Sequence, residues 1–575
     1  MIQPGLERIS QLLNNVQFPW RAIHVAGTNG KGSICHYAAT LIVRRKIKCG
    51  KFTSPHLIDR WDCISIDNQP VDEALFRKTE QHYLDLSLKN GINASPFEIL
   101  TATAFDIFNQ EQVEIGVVEV GMGGKHDATN ILNNQAISVI SKIARDHQDF
   151  LGNTLEEIAL HKAGILRPRV PYIINPSNER NVQGTIQAYA KSIGAGLRLD
   201  HNPPDLRKAL FKKHDWLEFT RHLPLVQREN ATLAAIAARQ ALRRLGLYFR
   251  PFDIGRMLYK SRIVPNRGRM QLVRVPPIFG DYPQHKGRNI LVDGAHNPDA
   301  AKSLSGYVQT VLRDSAIPGV GFPPRGGWPV TWVLAMTEGK DAQEYLQTLL
   351  QPGDNVITTS FGPVDGMPWV KPMDPQHLLE IAYRVQPRIT GLAIPEGGAF
   401  RALCAAKFMT EKGRPIVLTG SLYLVGDFHR DLRSHNSNHF WTDPEFAQER
   451  DAMKTMLNVE RSRVNRSLNP GLSDEVGRTS GKGEKRNTEW NRQISDREKK
   501  RAIQGELERL EREMELLAAE MPGIGHRQVS NAKVSSESTS STESSKDQTE
   551  SVAEETPIAK DEARIVPIQP NKTIE

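Results

Sequence analysis

A lysine set among glycines at the end of an apolar run is the first place where this sequence could handle a charged ligand. Ala22-Ile23-His24-Val25 leads into Gly27-Thr28-Asn29-Gly30-Lys31-Gly32-Ser33, and a helical pattern follows over Ile34 to Arg45. Glycines let a backbone curl until several N–H groups face one anion; the helix N-terminus adds partial positive charge, and Lys31 adds a full one. Ser33 offers a hydroxyl to a phosphate-bound Mg²⁺. The spacing departs from the general phosphate-loop pattern, because a glycine follows the lysine. A bare Gly-rich turn is the alternative, but a strand before and a helix after favour nucleotide phosphates. Glu119 lies in the apolar run Val117-Val118-Glu119-Val120, ahead of Gly121-Met122-Gly123-Gly124. A carboxylate at a strand end can hold the metal that β- and γ-phosphates also bind. Asp146-His147 follows another apolar run, Ala136 to Ile143, and adds a candidate imidazole.

These residues need a frame. To about residue 275, short β-like runs such as Ile115 to Val120 alternate with helical stretches such as Glu98 to Phe108. That alternation predicts a parallel-dominated sheet with helices on its faces. A second alternation begins at Asn289-Ile290-Leu291-Val292, continues through Val330 to Ala335 and Asn355 to Thr359, and ends at Pro415 to Thr419. The expected organisation is α/β: a first domain over 1–280, a smaller Rossmann-like domain over 286–435, and a polar tail over 436–575. The Gly- and Pro-rich stretch 315–328 reads as an inserted surface loop. In the tail, Ile503, Leu507, Leu510, Met514, Leu517 and Met521 form an a/d seam, so a helix is expected near 496–521 within otherwise disordered chain. A helix docking on its own protein and a dimer zipper both fit that seam, and binding of another partner is a further hypothesis.

Bulk properties exclude several classes. Hydrophobic residues at 39% and charged residues at 24% describe a globular chain, with 575 residues available for more than one core. A net charge of +8 suits anionic ligands and simple solubility alike. Four cysteines without a CxxC pair argue against a disulfide framework or a zinc site. No apolar run reaches the ~18 residues of a membrane span. The N-terminus has neither secretory nor transit character, so the expected compartment is the cytoplasm, with a mitochondrial form left open. Mixed charges without interleaved aromatics in the basic 497–501 run argue against nucleic acid.

Taken in order, Gly27–Ser33, Phe52-Thr53-Ser54-Pro55-His56-Leu57, Glu119 to Asn130, Asp146 to Gly152, Lys162-Ala163-Gly164-Ile165, Asp293-Gly294-Ala295-His296-Asn297-Pro298 and Ser421 to Gly426 resemble the folylpolyglutamate synthase and dihydrofolate synthase family of the Mur ligase superfamily. The resemblance covers roughly residues 1–430. It implies ATP bound by Gly27, Thr28, Asn29, Gly30, Lys31, Gly32 and Ser33. It implies Mg²⁺, two ions, at Ser33, Glu119 and His147, and a carbamate on Lys162. Gln227 and Asn230 would face the adenine; Arg269, Asp293 and His296 would reach the nucleotide from the second domain. Phe52, Thr53, Ser54, Pro55 and His56 would hold the pterin-bearing substrate, with Lys31, Lys162 and His296 as the catalytic set. His161, Lys125 and Val226 stand where that family more often has Glu, Arg and His.

The implied chemistry is amide formation. A carboxylate is a poor electrophile, so its conversion by ATP to an acyl phosphate supplies a leaving group for attack by an amino acid's amine. Within the family, Asn29 in the phosphate loop and Ile58 to Ile64 after the Ser54–Leu57 segment resemble the dihydropteroate-using members more than the eukaryotic polyglutamate synthases. The expected reaction therefore joins L-glutamate to 7,8-dihydropteroate. Extension of a folate, a bifunctional enzyme and a catalytically inactive nucleotide-binding scaffold are the alternatives. A monomer is expected.

Overall fold

The computed structural model describes residues 5–435, except 15, 209–212, 222, 249–265, 276–287, 318–319, 397 and 411–412, together with residues 455 and 459. The expected helix near 496–521 lies outside the described residues.

Two sheets organise the chain. The first is built from β1 (Arg21–Ala26), β2 (Cys49–Phe52), β3 (Ile64–Ile66), β4 (Gln69–Pro70), β5 (Ile115–Glu119), β6 (Gln135–Ile140) and β7 (Tyr172–Ile174). Their order is β4-β3-β2-β5-β1-β6-β7, parallel except for β2–β3 and β3–β4. Ile23, Val25, Val117, Val118, Ile137 and Val139 are fully buried, the near-continuous apolar pattern of strands covered on both faces. The Lys31–Val43 and Leu225–Arg244 helices close one face with Ile34, Leu41, Leu233 and Ala237. The Glu73–Lys89 and Pro96–Gln110 helices cover the other, where Trp20, Phe105 and Phe108 meet edge to face. Ser95 starts the second of these helices with a capping box: its hydroxyl accepts from Glu98 N–H while Glu98 accepts from Ser95 N–H.

The second sheet contains β8 (Gln271–Val275), β9 (Arg288–Val292), β10 (Thr331–Leu334), β11 (Asn355–Thr359), β12 (Thr390–Ile394) and β13 (Ile416–Thr419), in the order β12-β11-β10-β13-β9-β8. All pairs are parallel except β8–β9. The strand Gln271–Val275 precedes the expected boundary at 280 but pairs with β9, so the second sheet begins earlier than the sequence suggests. Beneath this sheet Asp354, fully buried, accepts from Arg313 at 2.8 and 2.6 Å, from Val330 N–H at 2.9 Å and from Trp332 Nε1 at 2.9 Å. The 315–328 stretch carries neither helix nor strand among its described residues and is fastened by Trp328 Nε1 donating to Ser315 O at 3.0 Å.

Strand order determines where side chains can meet. β1 lies between β5 and β6, with Val25 opposite Glu119 and Ala26 opposite Ile140. The phosphate loop, Glu119 and the segment after β6 therefore emerge side by side at the carboxyl ends of the strands, where open α/β sheets place ligands.

Candidate functional site

The glycine loop is shaped by what lies under it. Thr28 and Asn29 N–H groups donate to Lys142 O at 2.8 and 3.1 Å, and Thr28 Oγ1 donates to Ala144 O at 3.0 Å. Gly30 stands at φ 94° just before the Lys31–Val43 helix, a left-handed conformation that disfavours a side chain. A Cβ there would also sit 2.5 Å from Asn230 Oδ1. Asn230 is fully buried, and neither of its amide atoms has a hydrogen-bond partner. Lys31 Nζ donates to Thr28 O at 3.2 Å and stands 3.8 Å from Glu119 Oε1. Ser33 Oγ accepts from Gln227 Nε2 at 3.3 Å and from Asn266 Nδ2 at 3.0 Å. Gln227 and Asn230, expected at the adenine, thus both lie against the phosphate loop, and Tyr37 OH donates to the other end of the Gln227 amide at 3.3 Å.

Charge is concentrated here on buried side chains. Burial pushes the Glu119 carboxyl above its usual range, opposed by Lys31, Arg269 and a hydrogen bond from the Ser54 backbone. Lys162 is buried and donates to Gly27 O at 2.9 Å. Burial, reinforced by Lys31, pulls its ammonium down to about 7. Lys162 comes from the Leu155–Ala163 helix, whose Thr154–Glu157 capping box fixes its start.

The second sheet reaches the same place. His296 Nδ1 donates to Gly294 O at 2.8 Å, which turns Nε2 toward Asp146 Oδ2, 3.7 Å away. Lys340 Nζ meets Asp146 Oδ1 at 2.6 Å. Burial alone would raise Asp146, but His296, His147 and Lys340 beside it hold the carboxyl well below the usual range. Asn29 and Asn297 exchange amide hydrogen bonds at 3.2 and 3.1 Å, and Asn29 also donates to Asp299 at 2.8 Å. His147 takes a left-handed φ of 53° beside Asp146. Among the described residues no three His, Cys, Asp or Glu side chains gather to cage a metal.

Two expected ligand contacts change character. Phe52 is fully buried and stacks on Phe97 at a 6.1 Å centroid distance, so its ring belongs to the core. Asp293 accepts Met270 N–H at 2.7 Å and Ala295 N–H at 2.8 Å, so its carboxylate shapes the turns that carry Arg269 and His296. Ser54–Pro55 is a cis peptide, and His56 is buried.

Asp146, Asn297, Asp299 and Lys340 were not singled out as site residues. Asn297 and Asp146 lie inside recognised segments, and Lys340-Asp341 resembles a Lys-Asp pair of the same family; that Lys340 meets Asp146 across 194 positions is beyond the reach of local pattern.

Comparisons with known proteins identify the family. Residues 25–196 match the family model of the Mur ligase middle domain, and residues 279–433 match that of the dihydrofolate synthetase C-terminal domain. The probable dihydrofolate synthetase of Schizosaccharomyces pombe is 35% identical over 444 residues, covering 75% of this chain and 99% of that protein. The dihydrofolate synthetase of Saccharomyces cerevisiae is 35% identical over 448 residues, covering 76% and 99%. The solved structure of Escherichia coli FolC in complex with DHPP and ADP superposes with a TM-score of 0.58 at 26% identity, covering 76% of this chain and 95% of that one.

Proposed function

The chain belongs to the dihydrofolate synthetase family of Mur-type, ATP-dependent ligases, and from that membership we propose that it joins L-glutamate to 7,8-dihydropteroate through an acyl phosphate. The observation that carries this reading is the convergence of Lys31, Glu119 and Lys162 from the first sheet with His296, Asn297 and Lys340 from the second at one crevice.

Each residue has a task the geometry permits. Loop N–H groups and Lys31 would take the nucleotide phosphates. The buried, unpartnered Asn230 amide beneath Gly30 and the Glu119 carboxyl, whose ion-pair partner Lys31 stands 3.8 Å away, fit a site completed by a polar, cation-bearing ligand. Ser33, Glu119 and His147 would hold Mg²⁺, with phosphate oxygens and water supplying the remaining ligands, as that ion prefers. Bound there, Mg²⁺ would neutralise charge developing on the transferred phosphoryl group. Arg269 and His296 would face the nucleotide from the second sheet. The Asp146–Lys340 and Asn29–Asn297 contacts hold the two sheets' loops together over the crevice, keeping water from an acyl phosphate that would otherwise hydrolyse. Thr53 to His56 would bind the acceptor.

Lys162 supports a finer reading. A carbamate forms on an uncharged amine, and a buried lysine held near 7 supplies one at neutral pH. Incubation with ¹³C-labelled bicarbonate would give a carbamate carbon signal that Lys162→Ala lacks. We also propose a cytoplasmic monomer, with a mitochondrial form as the alternative, a first domain within residues 1–280, and a tail helix near 496–521 that binds a partner. Truncation at residue 440 with unchanged activity, mass and partner profile would remove the last of these. Among the described residues no helix is long and apolar enough to cross a membrane.

The test is phosphate release from ATP with glutamate, comparing dihydropteroate with tetrahydrofolate and using Lys31→Ala as control. Turnover with dihydropteroate is expected. Turnover with tetrahydrofolate alone would replace the acceptor, and inert protein that still binds ADP would leave the scaffold reading.

A further inference from the structure

The segment that follows β2 is fastened from the other half of the molecule. Asp62 folds it into a tight turn by accepting the N–H groups of Leu57 at 3.0 Å, Ile58 at 2.7 Å and Asp59 at 3.2 Å. The Leu422–His435 helix, which follows β13, then grips this turn. Arg433 forms a two-pronged ion pair with Asp59, at 2.6 and 3.1 Å. Arg430 donates to Ile58 O and also pairs with Asp427 on its own helix, which orients the guanidinium. Gly426 lies so near that a Cβ there would stand 1.9 Å from Leu57 O. The Leu57 side chain packs into the second sheet's core with Leu424, Val425 and Phe428. These contacts lie one to three residues from the Ser54-Pro55-His56 segment.

We propose that Arg430 and Arg433 are positioning residues for the acceptor: through Ile58 and Asp59 they hold the Thr53–His56 loop in its binding shape. The inference rests on the proposed acceptor role of that loop. Neither arginine needs to touch the acceptor. Both contacts are charge-assisted, and the Asp59 pair is bidentate, so the arrangement specifies orientation as well as attraction. Because the phosphate loop is built by other residues, loosening this clamp should weaken the acceptor and spare the nucleotide.

Steady-state kinetics on the full chain separate these effects. Arg433→Ala and the double variant Arg430→Ala/Arg433→Ala should raise the KM for dihydropteroate by about threefold to thirtyfold, with the KM for ATP changed less than about twofold. Arg433→Lys, which keeps the charge but loses the fork, should fall between. The exchange Asp59→Arg/Arg433→Asp should recover much of the loss that either single change causes. ADP affinity by calorimetry and the thermal midpoint confirm that each variant is folded. Equal rises in both KM values, an unmoved acceptor KM in folded variants, or a charge exchange that recovers nothing would overturn the proposal. Wild-type protein inert with both dihydropteroate and tetrahydrofolate would instead defeat the acceptor reading, and the inference with it.

Discussion

Gly30 and Asn230 make the sharpest residue-level case, because backbone conformation and side-chain crowding act on one atom. Gly30→Ala places a methyl 2.5 Å from Asn230 Oδ1 in a left-handed conformation. The substitution should cost about 1–3 kcal/mol in local strain and abolish ADP binding measured by calorimetry. Adding Asn230→Ala should recover part of the stability, since it removes the clash and leaves only the φ penalty. Lys31→Ala should lower kcat by about a hundredfold to a thousandfold, as for other single charges aimed at a transferring group, while the thermal midpoint stays within a few degrees. His24 tests burial. Its Nε2–H donates to Thr129 Oγ1 at 2.9 Å, the Thr129 hydroxyl donates on to Asp127 at 2.5 Å, and Gln135 Nε2 approaches Nδ1 at 3.4 Å. That chain requires a neutral ring, and burial lowers its pKa to about 3. The folded pKa lies below the ordinary 6.5, so between those values the unfolded chain binds the extra proton and stability falls as pH drops. At about pH 4.5 this amounts to roughly 2–3 kcal/mol. Urea unfolding at pH 7 and 4.5 should give a smaller pH difference for His24→Asn.

At the scale of elements, Asp354 ties a helix, two strands and a turn into one polar knot below the second sheet. Asp354→Ala would strand the buried Arg313 guanidinium, two backbone N–H groups and the Trp332 indole. A loss of about 3–5 kcal/mol is expected from denaturant titration, with ADP affinity retained in the fraction that stays folded. Elements were also the level at which the sequence could be read most directly. The runs at Ala22–Val25, Ile115–Val120 and Asn289–Val292 became strands because apolar periodicity and buried position coincide there. Glu119 was found for the same reason, as a charge interrupting such a run. Gln271–Val275 lies before the expected boundary at 280, and its pairing with β9 is an antiparallel contact that no local pattern encodes. Phe52 was placed at the substrate by resemblance, but strand alternation turns its ring toward Phe97 and Phe105. Gln227 carried no signal that its amide would be taken up by Ser33 and Tyr37, residues nearly two hundred positions away.

For the whole molecule, the crevice depends on contacts that cross between the two sheets. Lys340→Ala removes the 2.6 Å pair with Asp146 and leaves that carboxylate facing His147, His296 and Asn297. Small-angle scattering in the presence of ADP should then report a larger radius of gyration than wild type, and the ratio of ATP hydrolysed to amide formed should rise as water gains entry. An unchanged radius and ratio would mean that Asn29, Asn297 and Asp299 suffice to keep the crevice closed.

The turn around Asp62 has a consequence for how such a protein can be rebuilt. Its chain belongs to the first half, yet Leu57 is seated in the second half's core and Asp59 is fastened to the Leu422–His435 helix. Recombination that joined the front of one family member to the back of another would split a matched surface unless residues 53–62 travelled with the closing helix. A working hybrid must therefore inherit those ten positions from the donor of its C-terminal half, although 374 positions of chain separate Asp59 from Arg433 on the helix it fits.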